Sequence, residues 1–111
     1  MDIQWWTFDA LEKVFPESSR PVDAPEQIEF WACRNETEDA QVAMEIPPKQ
    51  RVTNAAFAFT DLKGPRGAKI RKENCGAFWE WYVYVQANPP HNTDPATHLR
   101  KAPAFFPDAF L

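Results

Sequence analysis

Apolar and polar residues alternate in several short stretches of the chain, and this alternation is the first guide to its fold. A period of two residues is typical of β-strands with one buried face. Alternating runs, or short runs rich in β-branched and aromatic residues, occupy residues 3–8, 27–33, 41–46, 51–62, 69–72 and 78–86. Polar or Pro- and Gly-containing segments separate them, as at residues 63–67. The pattern therefore predicts short strands joined by turns.

The side of each strand that carries the apolar residues defines the predicted core. The longest such side lies in residues 78–86, where tryptophan and valine alternate with glutamate, tyrosine and glutamine. The residues predicted to face inward are Ile28, Phe30, Val42, Met44, Phe57, Phe59, Trp79, Trp81, Val83 and Val85.

Composition and length narrow the fold class. Eleven prolines in 111 residues argue against long helices, because an interior proline removes a hydrogen bond and clashes with the preceding turn. We predict one helical turn over residues 9–15, with Asp9 as its N-cap. The expected fold is all-β: an antiparallel two-sheet β-sandwich, jelly-roll or immunoglobulin-like, in which residues 1–111 form a single domain.

Charge and hydropathy exclude several classes of partner. The net charge is −4, and basic residues cluster only over the short stretch 69–72, so nucleic acid is not an expected partner. No apolar run approaches the ~18 residues of a membrane span. We recognise no signal peptide at the start of the sequence.

No arrangement of reactive side chains in the sequence predicts catalysis, a metal site or a cofactor. Acid pairs can be chosen, such as Glu36 with Glu38 or Glu80 with Glu45, but sixteen acidic residues offer many such pairs. His91 and His98 have no third ligand at zinc-like spacing, and Ser18 and Ser19 lack a nucleophile elbow. Cys33 and Cys75 form either one disulfide or two buried thiols.

A polar corner follows the predicted strand 27–33. Its residues are Arg34, Asn35 and Glu36. The two charged groups either contact a sugar or a neighbouring domain, or bond the loop backbone and fix the chain reversal. We favour the structural role.

An aromatic face is the main candidate for binding. If strands 27–33 and 78–86 alternate as predicted, their outward side presents Trp31, Glu80, Tyr82, Tyr84 and Gln86. Rings beside carboxylate and amide groups suit either another protein surface or a sugar. A covering loop within the domain is the remaining alternative.

Three stretches of the chain carry a family resemblance. Residues 11–16 read LEKVFP, residues 30–42 read FWACRNETEDAQV and residues 106–111 read FPDAFL. In this order they resemble elements of the N-terminal β-sandwich domain of glycoside hydrolase family 123 proteins and their uncharacterised relatives. The resemblance spans nearly the whole chain, although the loop at residues 47–51 is short by comparison.

The resemblance implies a non-catalytic accessory role. In that family a separate (β/α)-barrel acts on N-acetylgalactosaminides, with the acetamido group of the substrate as nucleophile. No part of this chain corresponds to the barrel, so no catalytic residue is carried over. The expected partner is a downstream catalytic domain or subunit, and the family context implies a secreted or periplasmic location. A free-standing carbohydrate-binding module is the alternative. Phe110 and Leu111 either lead into the following domain or pack back onto this one.

Overall fold

The regular elements among the described residues are β-strands and one short 3-10 turn. The computed structural model describes residues 2–88 and 100–110, and these residues form no α-helix. The strands are β1 (Gln4–Asp9), β2 (Ala40–Glu45), β3 (Leu62–Lys63), β4 (Lys69–Ile70), β5 (Glu80–Val85) and β6 (Ala104–Phe110). Lys72–Asn74 is a 3-10 turn, and Pro65–Gly67 belongs to a tight turn in which Arg66 and Gly67 are left-handed. The fold is all-β.

The six strands pair as three antiparallel two-stranded ribbons, β1–β2, β3–β4 and β5–β6. Close contacts between strands are almost confined to the two partners of each ribbon. A ribbon of two strands has two faces and few neighbours to cover them, so other segments of the chain must supply the cover.

The β1–β2 ribbon is covered on one edge by residues 16–27, which follow β1 in the chain and which we call the proline-rich segment. The backbone N–H of Thr7 donates to the carbonyl oxygen of Pro25 at 2.8 Å, and the Thr7 hydroxyl donates to that of Gln27 at 2.6 Å. Thr7 and its neighbour Trp6 are buried, with 3% of Trp6 exposed. This ribbon therefore holds the best-covered large side chain among the described residues.

Arg20 joins the proline-rich segment to the ribbon. Its Nε donates to the carbonyl oxygen of Trp5 at 3.1 Å, and its Nη2 donates to that of Ala24 at 3.0 Å and to Glu26 Oε1 at 2.9 Å. Its backbone N–H donates to Glu45 Oε2 on β2 at 3.0 Å. One side chain thus satisfies carbonyl groups on both elements, as a planar guanidinium with several fixed donors can.

Four of the predicted strands are confirmed and two are wrong. Residues 3–8, 41–46, 69–72 and 78–86 contain β1, β2, β4 and β5. Residues 27–33 form no strand, and residues 51–62 contribute only the first residue of β3. Alternation alone did not suffice there, since a strand also needs a neighbouring strand to receive its backbone hydrogen bonds. Strand β6 was not predicted, because paired phenylalanines and a proline hide its period.

The predicted helical turn after β1 is also wrong. The backbone N–H of Leu11 donates to Asp9 Oδ1 at 2.7 Å, and the N–H of Glu12 donates to the Asp9 carbonyl oxygen at 3.1 Å. These bonds make a β-turn started by an aspartate, which competes with the helix that the same residue can cap. The side-chain amide of Gln41 on β2 donates to carbonyl groups of this turn, at 3.0 Å to Asp9 and 2.9 Å to Glu12.

The predicted core is not buried. Nine of its ten residues are exposed and Val85 is intermediate; the exposed ones are Ile28, Phe30, Val42, Met44, Phe57, Phe59, Trp79, Trp81 and Val83. The prediction assumed a second sheet opposite each apolar side, and the ribbons do not stack in that way. The Cα radius of gyration is 17.4 Å, whereas a compact domain of this length has about 13 Å.

Candidate functional site

The β5–β6 ribbon carries most of the residues that the sequence pointed to. Glu80, Tyr82 and Tyr84 alternate along β5, and Gln86 follows its last residue. Tyr82 pairs with Pro107 and Tyr84 with Phe105, so these residues share one face of the ribbon. A register shift between Trp81 and Tyr82 marks a bulge in the partner strand, which increases the local twist.

Residues 13–17 contact one end of this ribbon through hydrogen bonds and a ring contact, and we call them the clasp. The Tyr82 hydroxyl donates to the carbonyl oxygen of Val14 at 3.0 Å. Lys13 Nζ donates to the carbonyl oxygen of Pro107 at 3.0 Å and lies 3.8 Å from Glu80 Oε1. Burial raises the pKa of Tyr82, and the negative charges of Glu80 and Glu17 raise it further. Glu80 and Tyr82, which the sequence predicted to face outward, therefore contact the clasp of the same chain.

The clasp also makes an aromatic and a cation–π contact, both through Phe15. The Phe15 ring meets the Phe106 ring edge-on, with centroids 6.0 Å apart and planes at 77°. The Arg100 guanidinium lies 3.6 Å from the Phe15 centroid, a cation–π contact, and also pairs with Glu17. The hydrogen bond from Arg100 lowers the pKa of Glu17. Since Phe106 and Tyr82 lie on opposite faces by strand alternation, the clasp contacts side chains from both faces.

Four large side chains of the ribbon away from the clasp are exposed. Trp81 and Val83 lie on one face, and Tyr84 and Phe105 lie on the other, with their ring centroids 5.2 Å apart. All four are exposed, Trp81 by 57%. We call these four residues the ribbon patch. Sequence reasoning placed Trp81 and Val83 in the core and missed Phe105, whose strand it did not recognise.

Trp31 does not join the tyrosines in the way that the sequence predicted. It lies outside any strand and is 87% exposed. Among the described residues no hydrogen bond or ring contact links it to Tyr82 or Tyr84. The alternation rule had no basis here, because residues 27–33 are not a strand.

The polar corner forms a local turn. The N–H of Glu36 donates to the carbonyl oxygen of Cys33 at 3.2 Å, and the N–H of Cys33 donates back to Glu36 Oε2 at 2.6 Å. Asn35 has a φ of 65°, a left-handed conformation that asparagine adopts more readily than most residues. Arg34 and Asn35 are exposed. Glu36 therefore acts on the loop backbone, which is the structural role favoured from the sequence.

The structure locates only some of the reactive side chains that the sequence analysis considered. Residues 2–88 and 100–110 contain no group of three or more His, Cys, Asp or Glu side chains placed to hold a metal ion. Cys33 and Cys75 are free thiols, but neither is buried as the sequence alternative expected, since Cys33 is exposed and Cys75 is half-buried. His91 and His98 lie outside the described residues, as does most of the irregular segment that contains them.

An open groove runs beside β1. Its volume is about 600 Å³, and it is lined by residues 6–9 of β1, by Glu12 and by residues 21–25. Three of the lining residues carry carboxylates: Asp9, Glu12 and Asp23. Asp9 already accepts the backbone N–H of Leu11, so its carboxylate is partly used by the turn. The groove has no buried polar side chain without a partner, and nothing in it selects a ligand.

Comparison with known proteins returns no relative. The chain matches no protein-family model, no curated protein and no solved structure. In addition, none of the described residues forms a helix that is long and apolar enough to cross a membrane.

Proposed function

We propose that this chain is a non-catalytic accessory β-domain that packs against a glycoside-hydrolase-like catalytic domain and supports it. The observation that carries the proposal is the uncovered apolar surface of the ribbons, above all the ribbon patch. Large apolar and aromatic side chains exposed on both faces of one ribbon are unusual for a protein that acts alone, and exposed apolar surface tends to mark a contact with another protein.

The shape of the chain supports a protein partner over a small ligand. The structure extends over 55 × 38 × 28 Å, and contacts between its ribbons are sparse. The ribbon patch presents apolar groups on both faces of β5–β6, and a small molecule covers only one. A partner domain can supply a second layer, and with it the ribbons would complete the two-sheet sandwich that the sequence predicts.

The clasp gives the ribbon a fixed position for such a contact. Lys13, Val14 and Phe15 anchor one end of the ribbon through a hydrogen bond to each strand and an aromatic contact. An interface residue costs less entropy to order when its strand is already held. The choice of a catalytic partner comes from the family resemblance of residues 11–16, 30–42 and 106–111, the first of which contains part of the clasp.

The proposal is tested by adding a barrel domain of the glycoside hydrolase family 123 type, encoded in the same genome, to the isolated chain. Binding is measured by calorimetry for the wild type, Trp81→Ser and the matched control Trp31→Ser. We expect Trp81→Ser to weaken binding by at least ~30-fold, as removal of an interface tryptophan does at a hot spot. Trp31→Ser should change it less than about threefold. Absence of wild-type binding, or equal losses in the two variants, would contradict the proposal.

A free-standing carbohydrate-binding module is the second candidate, and the exposed pair Tyr84 and Phe105 favours it. Their rings lie 5.2 Å apart at an interplanar angle of 57°, and Gln86 is nearby in sequence to supply an amide. Glycan-array binding by the isolated chain that is lost in Tyr84→Ser, without any binding to the barrel domain, would favour this candidate over the first.

A further inference from the structure

Basic side chains are concentrated in the β3–β4 hairpin. Residues 63–72 hold five of the twelve basic residues of the chain and none of its sixteen acidic residues. The five are Lys63, Arg66, Lys69, Arg71 and Lys72, and all are exposed. We call residues 62–72 the basic hairpin. The sequence pattern drew attention only to residues 69–72, because the pairing that adds Lys63 and Arg66 is visible only in the fold.

The turn of the basic hairpin is well defined. The N–H of Gly64 donates to the carbonyl oxygen of Ala68 at 2.7 Å, and the N–H of Ala68 donates to that of Pro65 at 3.0 Å. Arg66 and Gly67 at the tip have φ values of 55° and 76°, so both are left-handed. Glycine adopts this conformation without strain. The backbone therefore holds Arg66 at the end of the hairpin, between the two strands that carry the lysines.

Two cations of the hairpin lie on the same face, and one of them forms an ion pair. Lys63 pairs with Lys69 across the ribbon, which places two positive side chains on the same face, and like charges in this position are destabilising. Asp61 lies 3.7 Å from Lys69 Nζ and is the only acid within ion-pairing distance of a hairpin cation among the described residues. A group of positive side chains that lowers the stability of the hairpin and forms a single ion pair is typical of a surface that binds an anion.

We propose that the basic hairpin binds a linear anionic polysaccharide through its sulfate or carboxylate groups. Two arginines and three lysines along ten residues match a chain with repeated anionic groups, since guanidinium and ammonium groups form charge-assisted bonds with such oxygens. Residues 62–72 contain no aromatic side chain on which bases stack in single-stranded nucleic acid. Each strand has two residues, too short a ribbon to read a major groove. A polysaccharide is therefore the better match.

The test measures binding of fluorescently labelled heparin by anisotropy over a range of salt concentrations. The variant Lys63→Gln, Arg66→Asn, Lys72→Gln removes three hairpin cations and keeps Lys69, which is paired with Asp61. Asparagine is used at the tip because it tolerates a positive φ. The matched control Lys49→Gln, Arg51→Gln, Lys101→Gln removes three exposed cations elsewhere and produces the same net charge. Circular dichroism verifies that both variants keep the wild-type spectrum.

We expect the hairpin variant to bind heparin about tenfold more weakly and with a smaller salt dependence, as the loss of three exposed charge contacts implies. The control should stay within about twofold of the wild type. Three results would overturn the proposal: no salt-sensitive binding of heparin by the wild type, an equal loss in both triple variants, or tighter binding of a DNA oligonucleotide of matched charge. The hairpin is separate from the ribbon patch, so this outcome is independent of the calorimetry with the barrel domain.

Discussion

Two tryptophans show how strongly the position of a residue outweighs its type in this chain. Trp6 lies on β1 under the proline-rich segment and is 3% exposed, whereas Trp81 lies on β5 and is 57% exposed. Both were in aromatic-rich strands of the sequence. The difference comes from two hydrogen bonds of Thr7, one from its backbone N–H to Pro25 and one from its hydroxyl to Gln27, which bring a covering segment to β1.

This contrast gives a prediction at the scale of the residue. Trp6→Ala should lower the free energy of unfolding by about 3–5 kcal/mol, the usual cost of truncating a large buried aromatic side chain. Trp81→Ala should lower it by less than ~1 kcal/mol, since an exposed side chain loses little on truncation. Urea denaturation of both variants measures the difference. Equal destabilisation would mean that Trp81 is buried in the isolated domain.

Individual residues also mark where sequence reasoning ends. Glu36 was expected to bond the loop backbone, and it does so at Cys33. Arg20 and Gln41 gave no signal, although each donates to several carbonyl groups. A lone polar side chain has no period, and its partners lie 15 to 32 residues away or in a turn whose path the sequence does not define.

The elements follow the same division. Strands β1, β2 and β5 could be predicted because their alternation or their β-branched and aromatic content is dense and each finds a partner. The partner β6 could not, because Phe105, Phe106 and Pro107 interrupt the pattern. Strand β6 lies at the edge of a two-stranded ribbon, and edge strands tolerate proline because one side of their backbone forms no hydrogen bonds with another strand. The clasp was invisible, since it depends on contacts between residues 13–17 and strands more than sixty residues away.

The clasp can be tested through Tyr82. Tyr82→Phe removes the hydrogen bond to Val14, which should cost ~0.5–1 kcal/mol at neutral pH, the lower part of the usual range because the side chain is 40% exposed. The pKa of Tyr82 is raised in the folded state. Its neutral form therefore stabilises the fold fully below about pH 10, the ordinary pKa of tyrosine, and this stability is lost as the pH rises through the folded pKa.

Urea midpoints measured from pH 7 to pH 11 check this expectation. The wild type should be more stable than Tyr82→Phe at neutral pH, and the difference should shrink above about pH 10 as the phenol ionises. A difference that grows with rising pH would show that the phenolate, rather than the phenol, is the favoured form at the clasp.

At the scale of the molecule, the all-β class was predictable and the arrangement of the strands was not. Proline content and alternation exclude long helices, which fixes the class. The two-sheet sandwich requires stacked layers, and contacts between the three ribbons are sparse. We propose that a partner domain supplies the missing layer by covering the ribbon patch.

Small-angle X-ray scattering of the monodisperse isolated chain tests this account most directly. If the ribbons leave their apolar faces for a partner to cover, the measured radius of gyration should stay close to the 17.4 Å of the structure. A radius of gyration near 13 Å, the value for a self-contained domain of this length, would contradict it, because the chain would then bury its own apolar surface and would need no partner layer.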